Sequence, residues 1–207
     1  MHIRATYVRS PADQVEQLTS NFNEKVIPAA KGAKGYVGAT LVYNREQGIA
    51  MGATIWESAR AMAESEEIGT STRIQAASET RASIVNVERG EVVAMERAAA
   101  PKIPGFVRMV RTHTDPEKLD QLIGFVRDKA VPKIREQKGF RSVWSVADRT
   151  TGVVNTVTVW DSAADRETSK AALAGIRDEA SRLAGSPIKV DDYEQLAVEL
   201  RAPVAAS

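Results

Sequence analysis

The chain has 207 residues, with 28 basic and 27 acidic side chains, a net charge of +1 and no cysteine. The absence of cysteine excludes disulfides and cysteine-ligated zinc or iron–sulfur sites. The even mixture of charges lacks the basic block that is typical of nucleic-acid binding. No apolar run approaches the roughly 18 residues of a membrane helix, and no apolar signal core precedes the first strand. We therefore expect a cytoplasmic protein with no nucleic-acid or membrane partner.

The first half of the chain has the pattern of a strand, a helix, two strands, a helical region and a strand. Residues 2–9 alternate apolar and polar side chains, as a half-buried strand does, and a helix with one apolar stripe follows. Two further strands, 35–44 and 49–56, are joined by a short polar loop typical of a hairpin. Ser58 begins the second helical region, and a fourth strand covers 84–95.

The second half of the chain repeats the first after a shift of 104 residues. The segment Thr54-Ile-Trp-Glu-Ser58 matches Thr158-Val-Trp-Asp-Ser162, and Arg73 matches Arg177. Tryptophan is rare, so the matched Trp56 indicates a duplication more strongly than a matched alanine would. The repeat predicts two domains at 1–97 and 106–201, a linker at 98–105 and a C-terminal tail at 202–207.

Each half has the element order βαββαβ, which is the ferredoxin-like pattern. A four-stranded antiparallel sheet with helices on one face leaves its other face bare, and two such sheets can cover each other. We predict an α+β fold of two ferredoxin-like repeats whose antiparallel sheets pack face to face as an α/β barrel. Pairing of the halves within one chain, as a pseudo-dimer, is the economical arrangement. A homodimer with pairing between chains stays open.

The stretch Lys31-Gly-Ala-Lys-Gly35 has the composition of a phosphate-binding loop. The second copy keeps Lys138 and Gly139 but has Glu136 in place of Gly32. A persistent glycine suits the left-handed position that ends a helix, whereas phosphate prefers the other end of a helix. We therefore interpret the stretch as a helix stop and not as a nucleotide site.

Short segments in both halves resemble a known group of proteins. Pro28 followed by Gly35-Tyr36, and the strand end Ile55-Trp-Glu-Ser58, recur in the second half as Pro132, Gly139-Phe140 and Val159-Trp-Asp-Ser162. These segments resemble the antibiotic-biosynthesis-monooxygenase-like domains of the dimeric α/β-barrel superfamily, in two tandem copies that cover nearly the whole chain. The resemblance implies outer helices and an apolar pocket in each half, either between sheet and helices or inside the barrel.

The resemblance also implies an activity. Many relatives are cofactor-free monooxygenases, so we expect a cofactor-independent monooxygenase that oxidises an aromatic or polyketide-like small molecule, with no cofactor and no metal. A non-catalytic small-molecule-binding or stress-associated barrel is the alternative, and an isomerase or decarboxylase would share the same pocket. The haem-degrading branch carries a haem-ligand histidine where this chain has Gln75 and Glu179, which argues against haem degradation.

Seven residues are candidates for contact with a small hydrophobic or aromatic ligand, and none is assigned a catalytic role. They are Arg4, Arg108, Trp56, Trp160, Trp144, Asn155 and His113. Arg4 and Arg108 are equivalent in the repeat. They would bind an anionic group from the inward face of the barrel, or pair with a carboxylate across the two halves.

The other five candidates each have a structural alternative. Trp56 and Trp160 would line a pocket for a flat ring, or close the core where a strand turns into a helix. Trp144 and Asn155 differ from their counterparts in the first half, which indicates either a pocket specific to one half or neutral drift. His113 would titrate near neutrality as a general base, or is a solvated loop residue.

Overall fold

The computed structural model describes residues 1–201, and the predicted tail at 202–207 lies outside the described residues. The first half contains four strands and four helices. The strands are β1 (His2–Arg9), β2 (Tyr36–Asn44), β3 (Ile49–Trp56) and β4 (Ser83–Arg97). The helices are α1 (Val15–Asn21), α2 (Ile27–Lys31), α3 (Ala59–Glu64) and α4 (Glu66–Glu79).

The second half repeats this order. Its strands are β5 (Gly105–His113), β6 (Phe140–Asp148), β7 (Val153–Trp160) and β8 (Lys189–Leu200). Its helices are α5 (Leu119–Phe125), α6 (Val131–Arg135), α7 (Ala163–Ala172) and α8 (Ala174–Ala184). The predicted βαββαβ order is confirmed in both halves.

The strands are hydrogen bonded in the order β1-β3-β2-β8-β5-β7-β6-β4, which closes into a barrel. Equivalent strands use equivalent pairing, because β3 lies between β1 and β2 as β7 lies between β5 and β6. The register places Trp56 opposite Tyr36, and Trp160 opposite Phe140. The predicted α+β barrel of two ferredoxin-like repeats is confirmed.

Two serines fix the start of the second helical region in each half. Ser58 accepts a hydrogen bond from the Ala61 amide at 3.1 Å, and Ser162 accepts one from the Asp165 amide at 3.0 Å. Such a cap satisfies one of the amides that the first helical turn leaves without a partner. The strand-end motif therefore encodes a strand that turns directly into a capped helix.

The glycine-rich stretch after α2 is a turn between helix and strand, as the sequence indicates, but the detail differs. The helix ends at Lys31, and Gly32 keeps a right-handed φ of −69°. The left-handed glycine is Gly35, with φ of 78°, and Gly139 matches it with 74°. The hydrogen bonds that tighten the last helical turn come before Gly35 in the chain. Gly35 therefore turns the chain into β2 and does not cap the helix.

The first long helix of each half contains a π-helical turn that the apolar stripe did not predict. The turns cover Phe22–Val26 and Val126–Ala130, and Pro28 and Pro132 follow them. Proline lacks an amide hydrogen and its ring crowds the carbonyl four residues earlier. A wider turn just before the proline relieves that conflict without ending the helix.

Contacts along the chain divide it into two compact units. Among the described residues, unit 1 comprises Met1–Glu88 with Gln195–Arg201, and unit 2 comprises Arg89–Glu194. The strands β4 and β8 each contribute residues to both units. The division at 98–105 describes the repeat in the sequence and stays a prediction.

Each unit has its own hydrophobic core between its helices and one face of its strands. Buried residues of the core of unit 1 include Leu18, Phe22, Ile27, Tyr36, Leu41, Tyr43, Trp56 and Met62. Buried residues of the core of unit 2 include Leu119, Leu122, Val126, Ile134, Phe140, Val143, Ala147, Val154, Trp160 and Leu173.

Candidate functional site

Unit 1 contains a cavity of about 90 Å³ between the sheet and the helices. This volume is several times what one water molecule requires. Most of the wall is apolar, and its polar side chains are Arg4, Thr6, Thr54, Ser65, Thr72 and Arg73. An apolar pocket with a few convergent polar groups is the usual form of a small-molecule site. The cavity is therefore the candidate functional site.

Two glycines keep this space open. A β-carbon on Gly52 of β3 would lie 3.1 Å from a ring carbon of Phe22, and one on Gly69 of α4 would lie 2.5 Å from Nη1 of Arg4. Both distances are shorter than ordinary van der Waals contacts, so a larger side chain at either position would displace Phe22 or Arg4 at the cavity wall. The repeat has Thr156 and Leu173 at these two positions.

Arg4 is a deeply buried charged group of the wall, with 3% of its surface exposed. Its Nη2 donates to the carbonyl of Met62 and to Oγ of Ser65 at 3.0 Å, and lies 3.0 Å from a carboxylate oxygen of Glu66. These partners belong to α3, α4 and the residue between them. Arg4 therefore lies on the helix-covered face of the sheet, and the expectation that it points to the inward face of the barrel is wrong. The alternation of β1 separates two rows of side chains but does not tell which row the helices cover.

Arg73 of α4 is a wall residue that sequence reasoning did not select. Its Nη2 donates to Oε1 of Glu66 and to Oγ1 of Thr70, both at 2.8 Å. Its Nη1 is buried and has no hydrogen-bond acceptor among residues 1–201. Because Glu66 binds Arg4 through its other oxygen, one carboxylate joins the two guanidinium groups. The match of Arg73 with Arg177 in the repeat was the available signal.

Trp56 is the tryptophan of the cavity wall. Its side chain is 1% exposed, and the indole N–H donates to Oγ1 of Thr54 at 3.0 Å. The ring packs edge-on against Tyr36, with 5.9 Å between centroids. A satisfied N–H and a fixed ring make Trp56 both a core residue and a flat wall for a ligand.

The equivalent arginine in unit 2 is held by protein groups. Nε and Nη2 of Arg108 donate to the two carboxylate oxygens of Asp192 at 2.8 and 2.9 Å. Its Nη1 donates to the carbonyl of Arg166 at 2.8 Å, and Nη2 also lies 3.3 Å from Glu167. This two-pronged pairing is the strongest geometry available to an arginine and a carboxylate. The pair forms within unit 2.

The space next to Arg108 is also filled differently. Leu173 takes the position of Gly69 and is buried with 7% exposure, and Ile176 takes the position of Thr72 and packs against the same core. Trp160 nevertheless keeps the contacts of its counterpart, because its N–H donates to Thr158 at 3.0 Å and its ring lies edge-on to Phe140. Unit 2 therefore retains the arginine and the tryptophan of the site, but larger apolar side chains fill the space beside them.

The remaining candidates do not line the cavity of unit 1. Trp144 and Asn155 are half-buried on the face of their strands opposite the one that packs on the helices. Nη1 of Arg111 lies 3.5 Å from Oδ1 of Asn155. His113 is exposed at the end of β5. Their roles in ligand contact stay predictions.

Residues 1–201 contain neither a cluster of metal ligands nor a membrane-spanning helix. Within residues 1–201, no cluster of three or more histidine, aspartate or glutamate side chains has the proximity needed to hold a metal ion. None of the described helices combines the length and apolar character that crossing a membrane demands.

Comparison with curated proteins finds relatives without an assigned activity. No protein-family model matches the chain. An uncharacterised protein of Mycobacterium tuberculosis is 26% identical over 204 residues, which is 98% of this chain and 91% of that protein. A second uncharacterised protein of the same species is 24% identical over 148 residues, or 72% of this chain and 62% of that protein. These similarities show relatives of similar length but give no function.

Solved structures show the fold. A candidate monooxygenase of Fusobacterium nucleatum superposes with a TM-score of 0.74 at 12% identity, covering 98% of this chain and 96% of that one. An anthrone oxidase-like protein superposes with a TM-score of 0.67 at 11% identity, covering 100% and 96%. A Listeria monocytogenes ferredoxin-fold protein related to antibiotic biosynthesis monooxygenases gives 0.50 at 12% identity, covering 94% and 95%. The chain therefore has the tandem ferredoxin-like fold of proteins related to antibiotic biosynthesis monooxygenases.

Proposed function

We propose that the chain binds one aromatic or polyketide-like molecule in the cavity of unit 1 and oxidises it with O2 without a cofactor. The observation that carries the proposal is the cavity itself, which has an apolar wall, a flat ring at Trp56 and two arginines at one side. Such a site holds an electron-rich ring away from water and places positive charge beside it.

The chemistry of the wall limits the reaction. Among residues 1–201, none of those that line the cavity is an aspartate, glutamate, histidine, lysine or tyrosine. The wall therefore offers no general base, and the substrate must lose its proton easily, with the arginines stabilising the anion. The carbanion of a CH2 group would add O2 to form a hydroperoxide, take up the proton, and eliminate water to leave a ketone. One oxygen atom then enters the product and the other leaves as water.

Two observations support this proposal. The fold is that of structures described as a candidate monooxygenase and an anthrone oxidase-like protein. The first unit has an open cavity where the second has larger side chains, so a duplicated chain would keep one working site. Cytoplasmic location and a pseudo-dimer that acts without a second chain belong to the same proposal.

Oxygen consumption tests the proposal. Purified protein is incubated under air with anthrone or a dihydroxynaphthalene, and O2 uptake and product are followed. We expect turnover by the wild type and loss of it in Gly69→Leu, which introduces the residue of unit 2 into the cavity. Gly175→Leu is the matched control, because nothing lies within 4 Å of a β-carbon at that position. Equal turnover in wild type and Gly69→Leu would contradict the assignment of the site.

A non-catalytic binding protein is the second candidate, and the lack of an acid–base group in the wall favours it. This reading predicts that Gly69→Leu abolishes binding of an aromatic ligand while no O2 is consumed by any variant. Calorimetry with the same compounds under nitrogen distinguishes the two candidates, because binding is then measured without turnover.

A further inference from the structure

The buried Nη1 of Arg73 is the feature of the cavity that its packing does not explain. We infer that the cavity takes its ligand as a monoanion and that Arg73 Nη1 donates to the ligand's oxyanion. This inference rests on the proposed function, since it names the charge and the recognition group of the ligand in that same site. Arg73 is thereby a specificity-determining residue.

The other contacts of Arg73 fix its orientation. Nη2 is held by Glu66 and Thr70, both at 2.8 Å, and the side chain is 15% exposed. A planar guanidinium fixed at one nitrogen has little freedom at the other. Nη1 therefore stays at the cavity wall, where it has no acceptor among the described residues.

Gly69 lies where the two arginines of the cavity wall approach each other. A β-carbon built on Gly69 would be 2.5 Å from Nη1 of Arg4 and 3.2 Å from Nη1 of Arg73. Nitrogens from two arginines therefore lie beside the same glycine of the cavity wall. Like charges repel, and an oxyanion in the cavity near both arginines would reduce the repulsion while satisfying the buried donor.

The equivalent arginine of unit 2 has a different environment. Nη2 of Arg177 donates to the backbone carbonyl of Lys170. Lys170 occupies the position of Glu66, and Leu173 fills the position of Gly69. The arginine is retained in the repeat. The carboxylate that orients Arg73 and the glycine beside its Nη1 are not retained. The donor is therefore specific to unit 1.

These features define a class of ligand. A mostly apolar wall with one converging anion position fits an aromatic carboxylate, a phenolate or an enolate. A phosphate ester, with more charge and more acceptor oxygens, would need further donors. The expected ligand is a flat apolar molecule with a single oxyanion.

Benzoate and benzamide test this inference, because they have nearly the same shape and differ in charge at pH 7. Their affinities are measured by calorimetry with the full-length wild type, Arg73→Met, Arg73→Lys and Arg177→Met. We expect the wild type to prefer benzoate roughly tenfold. Arg73→Met should abolish the preference while still binding benzamide, Arg73→Lys should restore part of it, and Arg177→Met should behave as the wild type.

The outcomes separate this inference from the proposed function. Equal affinity of the wild type for both compounds, or a preference that survives in Arg73→Met, overturns the role of Arg73 but leaves the cavity as a binding site. Loss of the preference in Arg177→Met overturns the assignment to unit 1. Failure of the wild type to bind either compound contradicts the cavity as a ligand site, and the inference falls with it. Thermal denaturation of each variant identifies any that does not fold.

Discussion

The guanidinium of Arg4 lies over the indole of Trp56, with 5.7 Å between Cζ and the ring centroid. A cation over a tryptophan face is an attractive contact, and it leaves the nitrogens at the rim of the guanidinium directed to other groups. In unit 2 the equivalent Arg108 binds Asp192 through two nitrogens. Equivalent arginines therefore serve different purposes, one at a cavity wall and one in a closed ion pair.

Removing the charge of Asp192 should destabilise the protein. Asp192→Asn leaves Arg108, whose side chain is 4% exposed, without its main counter-ion. Because Asp192 itself is one-third exposed, we expect a loss of about 2 kcal/mol, less than for a fully buried pair. Urea denaturation measures the loss. Asp128→Asn is the control, since Arg127 and Asp128 are both 61% exposed and the loss should be much smaller. Equal losses would contradict a structural role for Arg108.

Truncating Leu173 should create in unit 2 the space that Gly69 leaves in unit 1. Leu173→Ala should cost about 2–4 kcal/mol, because a buried side chain is replaced by a partly empty volume. Ile74→Ala on α4, at a side chain that is 60% exposed, should cost less than about 1 kcal/mol. Thermal denaturation with and without benzene checks both points, since an apolar solute that enters the new cavity raises the Tm. No stability loss in Leu173→Ala would show that this leucine does not fill a core position.

Tyr36 should make the protein less stable in alkali. Burial and the charge of Glu199 raise the pKa of its phenol well above the ordinary value of 10.0, and its hydroxyl has no hydrogen-bond partner within residues 1–201. The folded protein keeps the phenol proton where the unfolded chain loses it. This contribution to stability is therefore complete below about pH 10 and is lost progressively above it.

The Tyr36→Phe variant tests that pH dependence. Phenylalanine is already present at the equivalent Phe140, so the variant should match or exceed wild-type stability at pH 7 and lose less of it above pH 10. Tyr43→Phe is the control at pH 7. Its hydroxyl donates to the carbonyl of Ser10 at 3.1 Å, and losing that bond should cost about 1 kcal/mol. Identical pH profiles for wild type and Tyr36→Phe would rule out the tyrosine as the source.

Gly35 should tolerate a side chain less well than Gly48. Both have positive φ, which costs an alanine about 1–2 kcal/mol. At Gly35 the new β-carbon would also lie 2.6 Å from Cβ of Ala61, whereas at Gly48 the nearest atom is the Ser10 carbonyl oxygen at 3.5 Å. We expect Gly35→Ala to lose about 3 kcal/mol and Gly48→Ala about 1 kcal/mol in urea denaturation. A Gly48→Ala loss as large as that of Gly35→Ala would mean that backbone strain alone determines the loss of stability at both positions.

The fold was predictable because the sequence contains the same order of strands and helices twice. The strand ends at Trp56 and Trp160, with the caps at Ser58 and Ser162, fix equivalent elements in each half, and agreement between copies removes accidental features. The π-helical turns could not be predicted, since the stripe of apolar residues has nearly the same period through them. Their cause lies in how the helix accommodates Pro28.

The candidate site was only partly predictable, because it depends on where the two copies differ. Arg4 and Trp56 were selected from sequence and line the cavity. Arg73 was not selected, although it matches Arg177, because only the placement of α4 shows that its Nη1 has no acceptor in the described part of the chain. The exchange of Gly69 for Leu173 is one substitution among many until the helix is placed over the sheet. The repeat shows which positions correspond, and side-chain packing shows which differences matter.

The sharing of β4 and β8 between the two units determines how the chain can be divided. Gln195–Arg201 belong to unit 1, and Arg89–Arg97 belong to unit 2. A break within residues 98–105 would thus give two fragments, each of which carries a strand segment that the other needs. A chain with a single repeat would have to obtain that segment from a second molecule, at a rate set by concentration. The covalent duplication makes completion of each unit independent of how dilute the protein is.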